Sequence, residues 1–155
     1  MGIALTLKQY LDEQRAPYNV MVHERTATAR QTARACEVPN ACLAKGVLLR
    51  DGHGYLLAVL PASRQFDKAE LAQLVDRPVE LASEDETELF FRDCAPGAVP
   101  PIGEAYGLES VIDDRLMAEP EIYFEGGDHE SLIHMRGEAF RALVCGIPHG
   151  RFAHV

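Results

Sequence analysis

Lys45 is one of only three lysines in a chain of 155 residues, and it stands at the head of the apolar segment AKGVLLRDGHGYLLAVLP. An ammonium held rigidly where a strand enters a core can face a phosphate or a carbonyl oxygen. By residue type alone the other reading stays open, a lysine whose stem covers apolar neighbours while its head sits in water. A second segment, CAPGAVPPIGEAYGL, is dense in Gly and Pro. It is either an inert surface loop or a stiff one whose backbone N–H groups can approach a ligand closely. Two other patterns fail on inspection. HESLIH (129–134) comes near the zinc-protease pattern H-E-x-x-H, but its second histidine is one position late. Along a strand, positions 129 and 134 also face opposite sides, so no metal site is expected. Ser63, Ser83, Ser110 and Ser131 lack a G-x-S-x-G context and the chain has no G-x-x-x-x-G-K-[ST]. A serine hydrolase and a P-loop are therefore unsupported.

A regular frame must position these residues. Leu5, Leu7, Tyr10 and Leu11 recur at helical spacing and predict a first helix stopped by Pro17. Residues 18–22 alternate as a short strand ending at His23. Thr26 or Thr28 can cap the helix ATARQTARACEV, which carries Arg30 and Arg34 at i, i+4 on one face. Residues 47–50 and 55–60 predict two strands joined by the turn Asp51-Gly52-His53-Gly54. Asp67 then caps the helix KAELAQLV, followed by a short strand at 78–81 and an acidic helical turn, SEDETELFF. Strands are expected at 111–113, 121–125 and 131–135, with Gly126-Gly127-Asp128 as the turn before the last. GEAFRALVCG reads as a closing helix. This order predicts an α+β fold around a mixed sheet, as one domain over residues 1–155.

The composition, 47% hydrophobic and 25% charged, is that of an ordinary soluble domain. No apolar run approaches the roughly 18 residues of a membrane span, so no membrane partner is expected. The N-terminal segment lacks the apolar core of a signal peptide, and Cys36, Cys42, Cys94 and Cys145 form no C-x-x-C pair. Reduced thiols in the cytoplasm are the expectation. A net charge of −9 argues against indiscriminate nucleic-acid binding and against DNA. The charge is unevenly spread: residues 1–50 hold seven Lys and Arg against four Asp and Glu, residues 51–155 eight against twenty. A basic face on an acidic body can hold one end of a polyanion; chance asymmetry of a solvated surface is the alternative.

Four segments taken together, HERTATARQTARACEV, AKGVLLRDGHGYLLAVLP, PGAVPPIGEAYGL and IYFEGGDHESLIHM, resemble the YbaK/EbsC-like family. That family includes the editing domain of bacterial prolyl-tRNA synthetases and its free-standing relatives. The matches run in family order over about residues 5–145. The resemblance implies a mixed, barrel-like sheet flanked by helices, and a cofactor-free, metal-independent hydrolase that deacylates mischarged aminoacyl-tRNA in trans, a function in translation fidelity. It implies that Lys45 holds the tRNA 3′ end through its phosphate or the substrate carbonyl. Gly97 and Pro101 match the G-x-x-x-P loop that positions the ester, and Val99-Pro100-Pro101-Ile102 is expected as the apolar wall of a small pocket. Gly127, Asp128 and His129 fall at the turn closing the amino-acid pocket, where some relatives carry a functional histidine. Thr26 and Gly46 complete the expected substrate contacts, although many relatives have Ser, Thr or Asn at the position of Gly46. Arg30 and Arg34 are expected to face the tRNA, whose acceptor end is the expected partner alongside a synthetase. The competing expectation is a non-catalytic module that binds tRNA ends or a nucleotide and recruits a synthetase.

Overall fold

Leu7 and Leu11 lie one helical turn apart and are fully buried, which fixes helix α1 (Leu5–Glu13) by its apolar side. The computed structural model describes residues 2–154, so the two terminal residues of the domain expected over 1–155 lie outside the described residues. Strand β1 (Asn19–Val22) leads to α2 (Ala29–Ala35). Of the two threonines able to cap α2, Thr28 does so, its hydroxyl accepting the Gln31 N–H. Thr26 turns its hydroxyl to that of Thr32 instead, at 2.6 Å.

β2 (Leu43–Arg50) and β3 (Tyr55–Pro61) form the expected hairpin. β2 begins earlier than its local pattern indicates, because Leu43 and Ala44 pair with a distant strand. Lys45 is consequently the third residue of the strand rather than two residues ahead of it. β4 (Gln65–Phe66) precedes α3 (Lys68–Val75), where the Asp67 carboxylate accepts the Glu70 N–H at 2.9 Å. β5 (Glu80–Leu81) and α4 (Glu84–Phe90) follow.

Ser83 and Glu86 form a reciprocal capping box at the start of α4, and three acidic residues occupy its first turn. Both features suit the partial positive charge of a helix N-terminus. Ser83→Ala is expected to cost about 1 kcal/mol, lowering Tm by about 3 °C in thermal unfolding. An unchanged Tm would show that Glu86 alone holds the helix start.

The chain continues through β6 (Glu109–Asp113), α5 (Asp114–Met117), β7 (Glu121–Glu125) and β8 (Ser131–Arg136). It ends in α6 (Gly137–Leu143), β9 (His149–Gly150) and β10 (Ala153–His154). The main sheet is mixed, ordered β1-β8-β7-β2-β3-β6-β9, with β5 attached to β2; β4 and β10 pair separately. The β2/β7, β3/β6 and β6/β9 ladders are parallel and the others antiparallel. The α+β expectation, a mixed sheet flanked by helices, matches this architecture.

Alternation along β2 divides the core. Ala44 and Leu48 face the larger cluster with Leu57, Phe124, Phe140 and α1, while Leu49 joins the α3 side with Leu56, Leu60 and Phe152. Leu43 packs with Ala33 of α2 and with Tyr123. Lys45 shares the face of Leu43 and Leu49, and so stands between the two smaller clusters.

Candidate active site

The sheet has a seam beside Lys45. One edge of β2 pairs with β3 throughout, but the other meets β7 only at Leu43 and Ala44, and β5 only at Leu49 and Arg50. Residues 45–48 have no strand along that edge. The Ala62 N–H reaches the Leu43 carbonyl at 2.7 Å, so residues 43, 45 and 47 direct their backbone groups to β3. Residues 44, 46 and 48 direct theirs to the opposite edge. Ala44 uses them on β7 and the Leu48 carbonyl takes the Ala82 N–H at 3.0 Å. Gly46 therefore turns its N–H and C=O into the opening.

A cleft of about 500 Å³ occupies this seam. Its walls come from Lys45 and Gly46 on β2, from Gly97 and Val99 in the Gly/Pro segment, from α4, and from Glu125 at the end of β7. The Lys45 side chain is half-buried and has no hydrogen-bond or ion-pair partner among the described residues. Burial lowers its pKa from the ordinary lysine value, and the Arg30 charge lowers it further. A desolvated, unpartnered ammonium is poised to take an anionic oxygen.

Gly46 lacks a side chain for a packing reason. A Cβ there would meet the Leu57 methyls at 3.2 and 3.3 Å and the Pro101 Cα at 3.3 Å, on the core face of β2. A Ser, Thr or Asn would crowd Leu57 and Pro101 before it reached the cleft.

The loop opposite is a hydrogen-bonded turn. The Ala98 N–H reaches the Ala95 carbonyl at 3.0 Å, with Pro96 and Gly97 between them and Gly97 at φ +81°. Proline followed by a left-handed glycine is the type II pattern, which L-residues with a Cβ fit poorly. Two contacts fix this turn from behind. The Ala95 N–H reaches the Gly127 carbonyl at 2.7 Å, and His129 Nε2 donates to the Pro96 carbonyl at 2.5 Å. A trans peptide sets C=O and N–H antiparallel, so the Gly97 N–H points away from His129.

The expected site residues thus separate into two groups. Lys45, Gly46, Gly97 and Val99 line the cleft together. Pro100, Pro101, Gly127, Asp128 and His129 are buried and do not line it. Asp128 caps its own turn, accepting from the Glu130 and Ser131 N–H groups and the Ser131 hydroxyl. Burial raises the Asp128 pKa, but these donors outweigh it and hold the carboxyl below its ordinary range. Thr26 lies behind the cleft in a chain of hydroxyls, with Thr32 passing a 2.5 Å hydrogen bond to Glu125 Oε1. Arg30 and Arg34 are exposed on α2. His134 pairs with Glu121 at 2.7 Å and stacks on Tyr123, apart from His129. Among the described residues, no group of three His, Cys, Asp or Glu side chains is placed to hold a metal ion.

Two cleft residues carry no sequence signal. Cys94 lines the wall, but burial pushes its thiol up to about 12, which removes the thiolate a nucleophile requires. Glu125 is buried, and burial raises its pKa although the Thr32 hydroxyl acts to lower it. Only its position before Gly126-Gly127 distinguishes it locally from any strand glutamate.

A seamed mixed sheet with a cleft of this kind defines a known fold. The structure superposes on a hypothetical protein, APE2540, with a TM-score of 0.85 at 18% identity, covering 96% of this chain and 99% of that one. It superposes on a candidate trans-editing enzyme for prolyl-tRNA synthetase with a TM-score of 0.84 at 22% identity, covering 98% and 97%. A signal-transduction protein assignment from Marinobacter aquaeolei VT8 shares the fold over 97% of this chain but only 31% of its own length, at 21% identity and a TM-score of 0.77. At these identities the likeness shows the fold alone. Curated protein sequences give no match. The family profile for the aminoacyl-tRNA editing domain matches residues 23–143, and the chain belongs to that family.

Proposed function

We propose that this protein is a cytoplasmic, metal-independent aminoacyl-tRNA deacylase that acts in trans on a small amino acid esterified to the terminal adenosine. The observation that carries the reading is the unpartnered, half-buried Lys45 ammonium sharing one cleft with the Gly97 turn. An aminoacyl ester is already activated, so a site needs little beyond positioning of water and stabilisation of the developing oxyanion. Lys45 supplies the cation for the 3′-terminal phosphate or the carbonyl oxygen. The Gly97 N–H, aimed away from His129, supplies a fixed donor. The ribose 2′-hydroxyl of the substrate is the group for proton transfer, which agrees with a cleft offering no thiolate. Arg30 and Arg34 on exposed α2 receive the acceptor end, and a synthetase is the natural supplier of the mischarged tRNA.

A deacylation screen over tRNAs charged with Ala, Ser, Thr, Cys and Pro tests the reading. Release of at least one amino acid, without added metal and in the presence of a chelator, is expected. Tight binding of uncharged tRNA with no release across the panel would overturn it in favour of a binding module.

His129 acts through the loop rather than on the substrate, since its Nε2 is engaged by Pro96. His129→Ala is expected to lower kcat about 10-fold with little change in KM, and without altering the pH profile. His129→Asn should recover part of the loss. Asparagine offers an N–H donor and tolerates the left-handed backbone found at this position, φ +62°. Equal loss in both variants, with a vanished pH limb, would instead make His129 a proton-transfer group.

A further inference from the structure

We propose that Glu125 recognises the free α-ammonium of the esterified amino acid, an inference that rests on the editing reading above.

Register places it for that role. β7 pairs with β2 at Leu43–Tyr123 and Ala44–Phe124, so Glu125 is one rung beyond the ladder, alongside Lys45. Leu43 and Tyr123 share one packing cluster and Ala44 and Phe124 another, which puts Lys45 and Glu125 on the same face of adjacent strands. Two opposite charges so placed would ordinarily pair. They do not: Lys45 has no ion-pair partner among the described residues, and both side chains line the cleft.

The carboxylate is half satisfied. Oε1 accepts the Thr32 hydroxyl, which is itself backed by Thr26. Oε2 is enclosed and has no hydrogen-bond partner among the described residues, in a side chain only 8% exposed. An unpartnered oxygen of a buried carboxylate is costly and calls for a completing donor, which the ammonium of a bound aminoacyl ester would supply. The other carboxylates on the cleft wall, Glu84 and Glu88, are exposed on α4 and solvated. Burial raises the Glu125 pKa, so its ionised form gains from an ammonium brought alongside it. An aminoacyl-adenosine terminus carries both matching charges, an ammonium on the amino acid and a phosphate on the nucleotide. Lys45 and Glu125 are the corresponding cation and anion.

The test compares wild type and Glu125→Gln on an aminoacyl-tRNA that the wild type hydrolyses, and on the same tRNA after N-acetylation of the amino acid. Wild type is expected to prefer the free amine by about 10-fold or more in kcat/KM. Glu125→Gln should lower kcat/KM for the free amine about 10- to 100-fold and leave the N-acetyl ester unchanged, collapsing the preference. The N-acetyl rate also reports that the variant is folded. A preference retained in Glu125→Gln, or equal loss on both esters, would overturn the role of Glu125. Hydrolysis by wild type with no preference would overturn it too, while the editing reading stands. If the wild type hydrolyses no aminoacyl-tRNA of the Ala, Ser, Thr, Cys and Pro panel, the editing reading falls and takes this inference with it.

Discussion

Replacing Lys45 with alanine is expected to lower aminoacyl-ester hydrolysis by about 100-fold or more while leaving Tm unchanged or slightly raised. The two halves of this result have one cause. In the free protein the ammonium is half-buried without a partner among the described residues, and its pKa is lowered by burial and then by Arg30. A lysine whose folded-state pKa is lowered disfavours folding while it is charged. The penalty is present below that lowered pKa and fades as pH rises toward the ordinary lysine range. At neutral pH the charge is therefore held against its own solvation, and alanine removes that penalty. In the substrate complex an anionic oxygen relieves the same penalty, and alanine loses that gain. A structural lysine would behave in reverse, with stability falling and turnover spared. Deacylation kinetics and thermal unfolding on one preparation separate the two outcomes, and full activity in Lys45→Ala would remove the basis of the proposed mechanism.

Asp113→Ala is expected to be among the most destabilising single changes in the molecule, by about 4 kcal/mol. The Asp113 side chain is fully buried and caps α5 through Oδ1, which accepts the Arg115 N–H at 3.0 Å. Oδ2 accepts the Phe152 and Ala153 N–H groups at 2.9 and 2.8 Å. Alanine leaves two buried donors unsatisfied and loosens Phe152 from the cluster that holds Leu71 of α3 and Leu60 of β3. The loss is a large share of the roughly 5–15 kcal/mol that stabilises a domain. Tm should fall by about 10 °C in a calorimetric scan, with Asp113→Asn intermediate because one acceptor oxygen survives. A fall of under about 3 °C would mean that the C-terminal segment is held by Phe152 packing alone.

Features written in short stretches of chain were legible in advance. Asp67 caps the helix it was expected to cap, the acidic segment SEDETELFF forms α4, and the Asp51–Gly54 turn joins the two strands expected of it. Pro96-Gly97 was recognisable as a stiff loop because those residue types restrict or free φ by themselves. Lys45 stood out through its rarity and its apolar surroundings. Glu125 did not, because a glutamate before two glycines has the same local pattern whether its carboxylate meets solvent or the wall of a cleft. Pro100 and Pro101 read as cleft wall, yet they are buried, with Pro101 packed toward the core side of Gly46.

The sequence by itself determined the helix cap at Asp67 and the turn of the central hairpin, which residues could carry charge into a core, and which turn could present a backbone donor. Those properties depend on covalent geometry and on neighbours a few residues away. Only the tertiary structure decided that β7 pairs with β2 for two rungs and then leaves it, so that a seam opens beside Lys45. It also decided that His129 would hold the Pro96 carbonyl and that Glu125 would keep one oxygen unpartnered. Each of these joins residues far apart in the chain, and such pairings are set by the packing of the whole sheet rather than by any local preference.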